Sequence, residues 1–366
     1  MPVLTVDEDL RARIEARLRR QFAARTSAAE RYGVEFAGLW RTASHHVLGG
    51  KLLRPRLLVA LYDALTDSSA DAADTTTVLD LAAAIETLHY AFLLHDDVID
   101  GDVQRRHRPN LIASLRDEHP HPLLAPREAL HWGQTGAILL GDLLLSSVHQ
   151  SFARADLPHA QRLRALDLLE HTITETVAGE QADVALTDQV VPADLATILA
   201  MSADKTATYT FELPLRLAAI LAGRSPAIEN HLAAIARHLG LAFQLQDDLL
   251  SVFGDAARHG KDPHSDLREG KRTALIAYAR MTSAWRRIEP RLGRSDLTES
   301  DALLIRTLLE ECGARDFVAN LVDEHIDAAR SLITGVNSDV GSSGLLPAAA
   351  QRVLLAIPER LEGRQS

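Results

Sequence analysis

The sequence predicts an all-α protein, an antiparallel helical bundle around a deep central cavity. Three observations carry that prediction. Apolar residues recur three and four apart over long stretches, the spacing of one helix face. Alternating runs of β-branched and aromatic residues bounded by tight turns, the mark of strands, are missing. No Pro/Gly/Ser-rich linker interrupts the interior, so the 366 residues, 46% of them hydrophobic, read as one large domain over 1–366.

The elements follow in order. Residues 7–26 form an amphipathic helix, acidic at its start and arginine-rich later, as the helix dipole favours. Residues 1–28 are expected to be peripheral, packing on the outside or on a partner. A second helix over 29–48 stops at Gly49-Gly50. Further helical patterns occupy about 53–66, 77–100, 128–152, 159–184, 193–223, 227–253, 271–281, 298–311, 313–335 and 346–361. Thr298-Glu299-Ser300-Asp301 reads as a helix start, close to a capping box. The prolines of 118–126 make that stretch a loop, and its His119 and His121 read as solvated loop residues.

The formal net charge of −11 argues against a nucleic-acid surface, but not against small anionic substrates, which a few local cations can hold. Cys312 is the single cysteine, so there is no disulfide framework or thiolate metal cage, and a buried, inert thiol is expected. With no N-terminal hydrophobic signal and no run of about 18 apolar residues, a cytoplasmic protein without a transmembrane segment is expected.

The chemistry concentrates in Glu86-Thr87-Leu88-His89-Tyr90-Ala91-Phe92-Leu93-Leu94-His95-Asp96-Asp97-Val98-Ile99-Asp100, an apolar helical run ending in three carboxylates. Asp96 and Asp100 are one turn apart on one face. Such close carboxylates repel, and their place at a helix C-terminus opposes the dipole. Mg²⁺ is the natural neutraliser, and it commonly shares its shell with substrate phosphates. A second stretch, Phe243-Gln244-Leu245-Gln246-Asp247-Asp248-Leu249-Leu250-Ser251, repeats the design, with Gln244, Asp247 and Ser251 on one helical face.

These two stretches resemble the first and second aspartate-rich motifs of the trans-isoprenyl diphosphate synthases. Further matches fall in the family's order: Gly49-Gly50-Lys51-Leu52-Leu53-Arg54-Pro55, Asp100-Gly101-Asp102-Val103-Gln104-Arg105-Arg106, Gly141-Asp142, Gly179-Glu180-Gln181, Lys205-Thr206, and Gly260-Lys261 through Asp266 to Lys271. The resemblance covers about residues 35–340, and the chain resembles bacterial geranylgeranyl diphosphate synthases.

The resemblance implies prenyl transfer from an allylic diphosphate to isopentenyl diphosphate. It implies Asp96, Asp100 and Asp247 as ligands of three Mg²⁺ ions, supported by Asp97 and Asp248. It assigns Arg105, Lys205, Gln244 and Lys261 to the allylic diphosphate, with Thr206 beside Lys205 at a helix break and Lys271 near the metals. Lys51, Arg54, His89 and Arg106 match the isopentenyl diphosphate site. No side chain is an obvious general base; in the family the departing pyrophosphate is thought to take the proton. Family members are commonly homodimers.

The allylic tail is expected to run along the first acid helix toward its N-terminus. Phe92, one turn or about 5.4 Å from Asp96, and Ala91 occupy positions where bulk stops chain growth in the family. Leu88, Tyr90 and Ile85 could form a deeper floor. The expected product has fifteen to twenty carbons, with geranylgeranyl diphosphate preferred.

The pattern departs in places. Ser251 stands where a last aspartate is usual, His107 replaces a glycine and Asn110 a threonine. Two other readings share the scaffold. An all-helical terpene cyclase would have no use for Lys51, Arg54, His89 and Arg106. A catalytically silent partner subunit need not keep both carboxylate clusters; Ser251 is the one feature in its favour.

Overall fold

The computed structural model describes residues 8–66, 72–105, 108–118, 125–254, 264–335 and 345–362. Its helices are α1 (Glu8–Ala29), a 3₁₀ turn (Glu30–Tyr32), α2 (Val34–His46), α3 (Leu53–Leu65), α4 (Thr75–Ile99), α5 (Leu111–Asp117), α6 (Pro126–Ala153), α7 (His159–Thr187), α8 (Leu195–Ser202), a π-helix (Ala203–Glu212), α9 (Leu213–Leu221), α10 (Pro226–Phe253), α11 (Ser265–Glu269), α12 (Ala274–Arg280), α13 (Trp285–Ile288), α14 (Glu299–Glu311), α15 (Ala314–Thr334) and α16 (Ala348–Glu362). The fold is all-α, as expected. The described strands are a two-residue antiparallel ribbon, Gln104–Arg105 with Arg108–Pro109, in which Arg105 pairs with Arg108. A ribbon this short leaves no period-two signal in a sequence.

The chain packs as two compact units. The first runs to Leu166 and takes in Leu221–Gly223; the second holds Asp167–Ile220 and the chain from Arg224 onward. The boundary falls within α7.

In the first unit, α4 packs against α6, α3 and α1. Asp74 caps its start by accepting from the Thr77 N–H at 2.7 Å. Helix α1 packs on the unit along one stripe, and its other faces are exposed or half-buried. Its Ile14, Leu18 and Phe22, spaced by four, are fully buried in the unit's core. Phe22 meets Trp40 of α2 edge-on at 5.9 Å and Tyr90 of α4 at 6.4 Å. Helix α4 is the one described helix long and apolar enough to cross a membrane, by an 18-residue window of mean hydropathy 1.4 that is 78% buried inside the protein, as in a core helix. Helix α5 falls where no helix was expected. Asn110 caps it by accepting from the Ala113 N–H at 3.1 Å, while its Nδ2 donates to the Asp102 carbonyl at 2.8 Å. The departure at Asn110 therefore has a structural use.

In the second unit, α10 packs along α15 and the π-helix. Leu232, Ile235, Ala236, Leu239 and Leu245 of α10 are sealed, as are Val318, Val322 and Ile326 of α15. The single helix expected over 193–223 is divided into α8, the π-helix and α9. Pro214, at the second position of α9, has no N–H to continue the ladder. Thr298 does cap α14, accepting from the Asp301 N–H at 3.1 Å. Cys312 is half-buried rather than sealed, its thiol 3.6 Å from the Leu309 carbonyl oxygen.

Candidate active site: two acid-ended helices

Consecutive residues on a helix point about 100° apart, so a pair of aspartates must split between two faces. Both motifs show that split. On α4, Asp96 and Asp100 are partly exposed, while Asp97 is 2% exposed. On α10, Asp247 is partly exposed and Asp248 is buried. In each pair a donor holds the inner carboxylate. Arg105, delivered by the short ribbon, donates to Asp97 Oδ1 through Nε at 3.1 Å and Nη2 at 2.5 Å, and reaches Asp96 Oδ2 at 3.3 Å. Gln244 Nε2 donates to Asp248 Oδ1 at 2.8 Å. Burial pushes the Asp97 carboxyl up to about 6 against the pull of Arg105. Burial also raises Asp248, opposed by the Gln244 bond and reinforced by the charges of Asp266, Asp247 and Asp183.

The outer carboxylates are thus offered by rigid helices whose inner neighbours are pinned. Asp96, Asp100 and Asp247 present only oxygen, the donor type hard divalent cations prefer. At the end of α4 the negative pole of the helix adds to the carboxylates, since the Asp100 N–H closes the last turn on the Asp96 carbonyl at 2.8 Å. On α4 the oxygen donors and this field suit Mg²⁺, and on α10 Asp247 offers a donor of the same type.

The Gly141-Asp142 match has a local reason. A Cβ at Gly141 would lie 2.3 Å from His95 Nε2, so glycine leaves room for that ring. The same nitrogen is 3.4 Å from Asp142 Oδ1. Helix α6 thereby seats the residue that immediately precedes Asp96.

Lys51 lies in the turn between α2 and α3, and Arg54 is the second residue of α3. Gly49 takes φ +86°, and Leu52 enters the left-handed region at φ 49°, ψ 40° before α3 begins. Lys51 is exposed and Arg54 half-buried. His89 is partly exposed, with its Nδ1 edge buried. Phe92 is also partly exposed, whereas Leu88 and Ala91 are sealed, Ala91 within the same core cluster as Leu94, Leu140 and Leu144.

In the second unit, Lys205 sits on the π-helix with Nζ 2.6 Å from Asp183 Oδ2 and 2.9 Å from Glu180 Oε2, both on α7. Two glycines make that approach possible. A Cβ on Gly179 would fall 2.2 Å from the Lys205 backbone nitrogen, and one on Gly240 would fall 2.1 Å from the Ala207 Cβ. The π-helix therefore touches α7 and α10 along bare backbone. Thr206 follows, partly exposed. Lys271 is 3.1 Å from Glu269 Oε2, just past the left-handed Gly270. The Ser251 hydroxyl turns back to the Asp248 carbonyl at 2.9 Å, a bond an ionised aspartate could not donate.

Arg106 and Lys261, with Gly260, His107, His119 and His121, lie outside the described residues. Sequence reasoning missed Asp183 and Gly240. Asp183 could have been found as the acid one turn beyond Gly179 on α7. Gly240 carries no signal until its neighbour is known.

The family model for polyprenyl synthetases matches residues 38–305. A geranylfarnesyl diphosphate synthase from Aeropyrum pernix is 30% identical over 310 residues, 83% of this chain and 90% of that protein. A (2E,6E)-farnesyl diphosphate synthase from Mycobacterium tuberculosis is 30% identical over 293 residues, 78% of this chain and 74% of that protein. Among solved structures, a geranylgeranyl pyrophosphate synthase from Corynebacterium glutamicum, complexed with isoprenyl diphosphate and magnesium, superposes with TM-score 0.87 at 28% identity, covering 97% of this chain and 98% of that one.

Proposed function

Because the chain belongs to the polyprenyl synthetase family, we propose that its two acid-ended helices ionise an allylic diphosphate and couple it to isopentenyl diphosphate, with geranylgeranyl diphosphate as the preferred product. The chain is a short-chain trans-prenyl diphosphate synthase, a prenyltransferase. The observation that carries the finer reading is the repeated aspartate split, with the outer carboxylate of each pair presented and the inner one pinned by Arg105 or Gln244.

Asp96, Asp100 and Asp247 would hold three Mg²⁺ ions, whose charge stabilises the diphosphate as it leaves. Arg105, Lys205, Gln244 and Lys261 bind that same diphosphate, with Thr206 and Lys271 beside them. The allylic C–O bond breaks and pyrophosphate departs with the bonding pair. The double bond of isopentenyl diphosphate, held by Lys51, Arg54, His89 and Arg106, forms the new C–C bond. A proton then leaves the adduct, and pyrophosphate accepts it. Arginine supplies a planar fork and lysine a compact charge to phosphate oxygens. Carboxylates keep Arg105 and Lys205 oriented beforehand, so substrate exchanges one anion for another without a search by the side chain.

Phe92 is the chain-length stop in this reading, because it lies one turn from Asp96 and is not sealed in the core. The three relatives named above are farnesyl, geranylgeranyl and geranylfarnesyl synthases by their names, which supports a short-chain product. We read the chain as one functional domain, since the family match runs across both packing units. We read it also as a cytoplasmic homodimer. Its dimer face is the outer side of α6, where Trp132, Ile138, Leu139 and Leu143 are exposed.

The test is turnover of the purified chain with Mg²⁺, isopentenyl diphosphate and each allylic primer in turn, with product length read by chromatography. Linear prenyl diphosphates ending at twenty carbons support the reading. A cyclic hydrocarbon formed without isopentenyl diphosphate, or no turnover at all, overturns it.

A further inference from the structure

The second unit carries another convergence of ligand atoms, on residues the prenyl-transfer reading does not use. His171 and Glu175 stand one turn apart on α7, and Glu212 ends the π-helix. One atom from each, an imidazole nitrogen and two carboxylate oxygens, lies within 4.8 Å of the others. His171 Nε2 is 3.6 Å from Glu175 Oε1 and 3.6 Å from Glu212 Oε1. Those separations are too long for hydrogen bonds. They are close to the edge of about 3.3 Å expected for a tetrahedral shell with metal–ligand bonds of about 2.0–2.1 Å.

The surroundings orient these ligands. The Thr208 hydroxyl donates to Glu175 Oε2 at 3.0 Å, which leaves Oε1 for the centre. Arg216 holds Glu212 Oε1 at 2.6 Å and is the native competitor for it. Arg216 also bonds Glu229 through Nη2 at 2.7 Å and Nε at 3.2 Å, so it keeps a partner if Glu212 turns away. Asp204 lies in the field of Glu175, Arg237 and His171. Four carboxylates (Glu175, Asp204, Glu212 and Glu229) thus meet two guanidiniums (Arg216 and Arg237), a balance a dication would restore.

We propose that His171, Glu175 and Glu212 form a site for a transition-metal dication of the Zn²⁺ class, distinct in its ligands from the aspartates assigned to Mg²⁺. The imidazole sets the class, since Mg²⁺ favours an all-oxygen octahedron whereas nitrogen with carboxylate suits Zn²⁺ and Co²⁺. An ion here ties α7 to the end of the π-helix that carries Lys205 and Thr206.

The experiment titrates chelator-stripped, full-length protein with Co²⁺ in excess Mg²⁺ and follows visible absorption and bound equivalents. One Co²⁺ per chain with the intense d–d bands of a low-coordinate site is expected. It should persist in a chain carrying Asp96→Asn, Asp100→Asn and Asp247→Asn. His171→Ala, and independently Glu175→Gln, should weaken binding at least about tenfold while melting like the parent without metal. Absence of a Co²⁺ equivalent in the parent, its loss with the three aspartates, or unchanged binding in both His171→Ala and Glu175→Gln overturns the proposal. None of these readouts depends on prenyl transfer.

Discussion

The guanidinium of Arg105 closes on the carboxylate of Asp97 with two donors on a single oxygen, Nη2 at 2.5 Å and Nε at 3.1 Å. This bond fixes the direction of a cation assigned to the allylic diphosphate. Asp97→Asn removes the anion that holds it, and the remaining amide is a weaker acceptor. Lys at 105 keeps the charge but loses the fork. Asp97→Asn should lower kcat/KM for the allylic substrate about 10–100-fold, as lost supporting contacts do, with KM for isopentenyl diphosphate little changed. Arg105→Lys should fall in the same range. Steady-state kinetics with each substrate varied in turn provide the check; equal losses toward both substrates would sink the assignment.

Gly179→Ala should be among the costliest single-methyl additions in the chain. The new Cβ meets the backbone nitrogen and Cα of Lys205 at 2.2 and 2.6 Å, not a flexible side-chain tip. The π-helix must shift to admit it. Overpacking of this kind costs about 1–3 kcal/mol, and the shift moves Lys205 relative to Asp183 and Glu180. Thermal melting should report the first effect and kcat the second. A variant that melts and turns over like the parent would show that the close approach is not needed.

The helices were legible because their apolar spacing is long and regular, and the acidic motifs because two aspartates end an apolar helix twice. The ribbon carrying Arg105 was not, since two residues per strand leave no pattern. The break at Lys205-Thr206 was legible through the resemblance, but its form, a π-helix seated on Gly179 and Gly240, was not, because those contacts come from far away in sequence. In α1, Ile14, Leu18 and Phe22 mark an apolar face, but what covers that face is set by Trp40 and Tyr90, far away in sequence. Donor partners such as Asp183 for Lys205 belong to the same class of fact, fixed by packing rather than by spacing.

Phe92→Ala should lengthen the product by at least one isoprene unit. The ring is partly exposed one turn from Asp96, so its loss opens space without hollowing a sealed core. Ala91→Phe makes the contrast. Ala91 is fully buried beside Leu94 and Leu140, so added bulk there should cost about 1–3 kcal/mol of stability before it shortens any product. Product chromatography and melting temperature, measured on both variants, separate the two effects. An unchanged ladder from Phe92→Ala would remove that residue as the stop.

Acid sensitivity should trace to a histidine pair. His238 of α10 and His325 of α15 face each other with Nδ1 atoms 2.9 Å apart. One must carry the proton and the other must accept it, so a second proton sets two donors head to head. Burial lowers both from the ordinary value. The charge of Arg237 adds to the shift at His238; at His325 the His238 ring adds to it and Glu324 opposes it. In the unfolded chain each takes a proton near pH 6.5. Just below that the unfolded state binds more protons, so stability rises with pH there. The contribution is complete above about pH 6.5–7 and is lost as pH falls through 6.5 toward the lower folded values. Asp97 and Asp248, raised in the fold, act with the opposite sign, but they are common to parent and variant. His325→Gln should therefore flatten the fall in melting temperature between pH 7 and 5 relative to the parent. Parallel curves would place the acid sensitivity elsewhere in the chain.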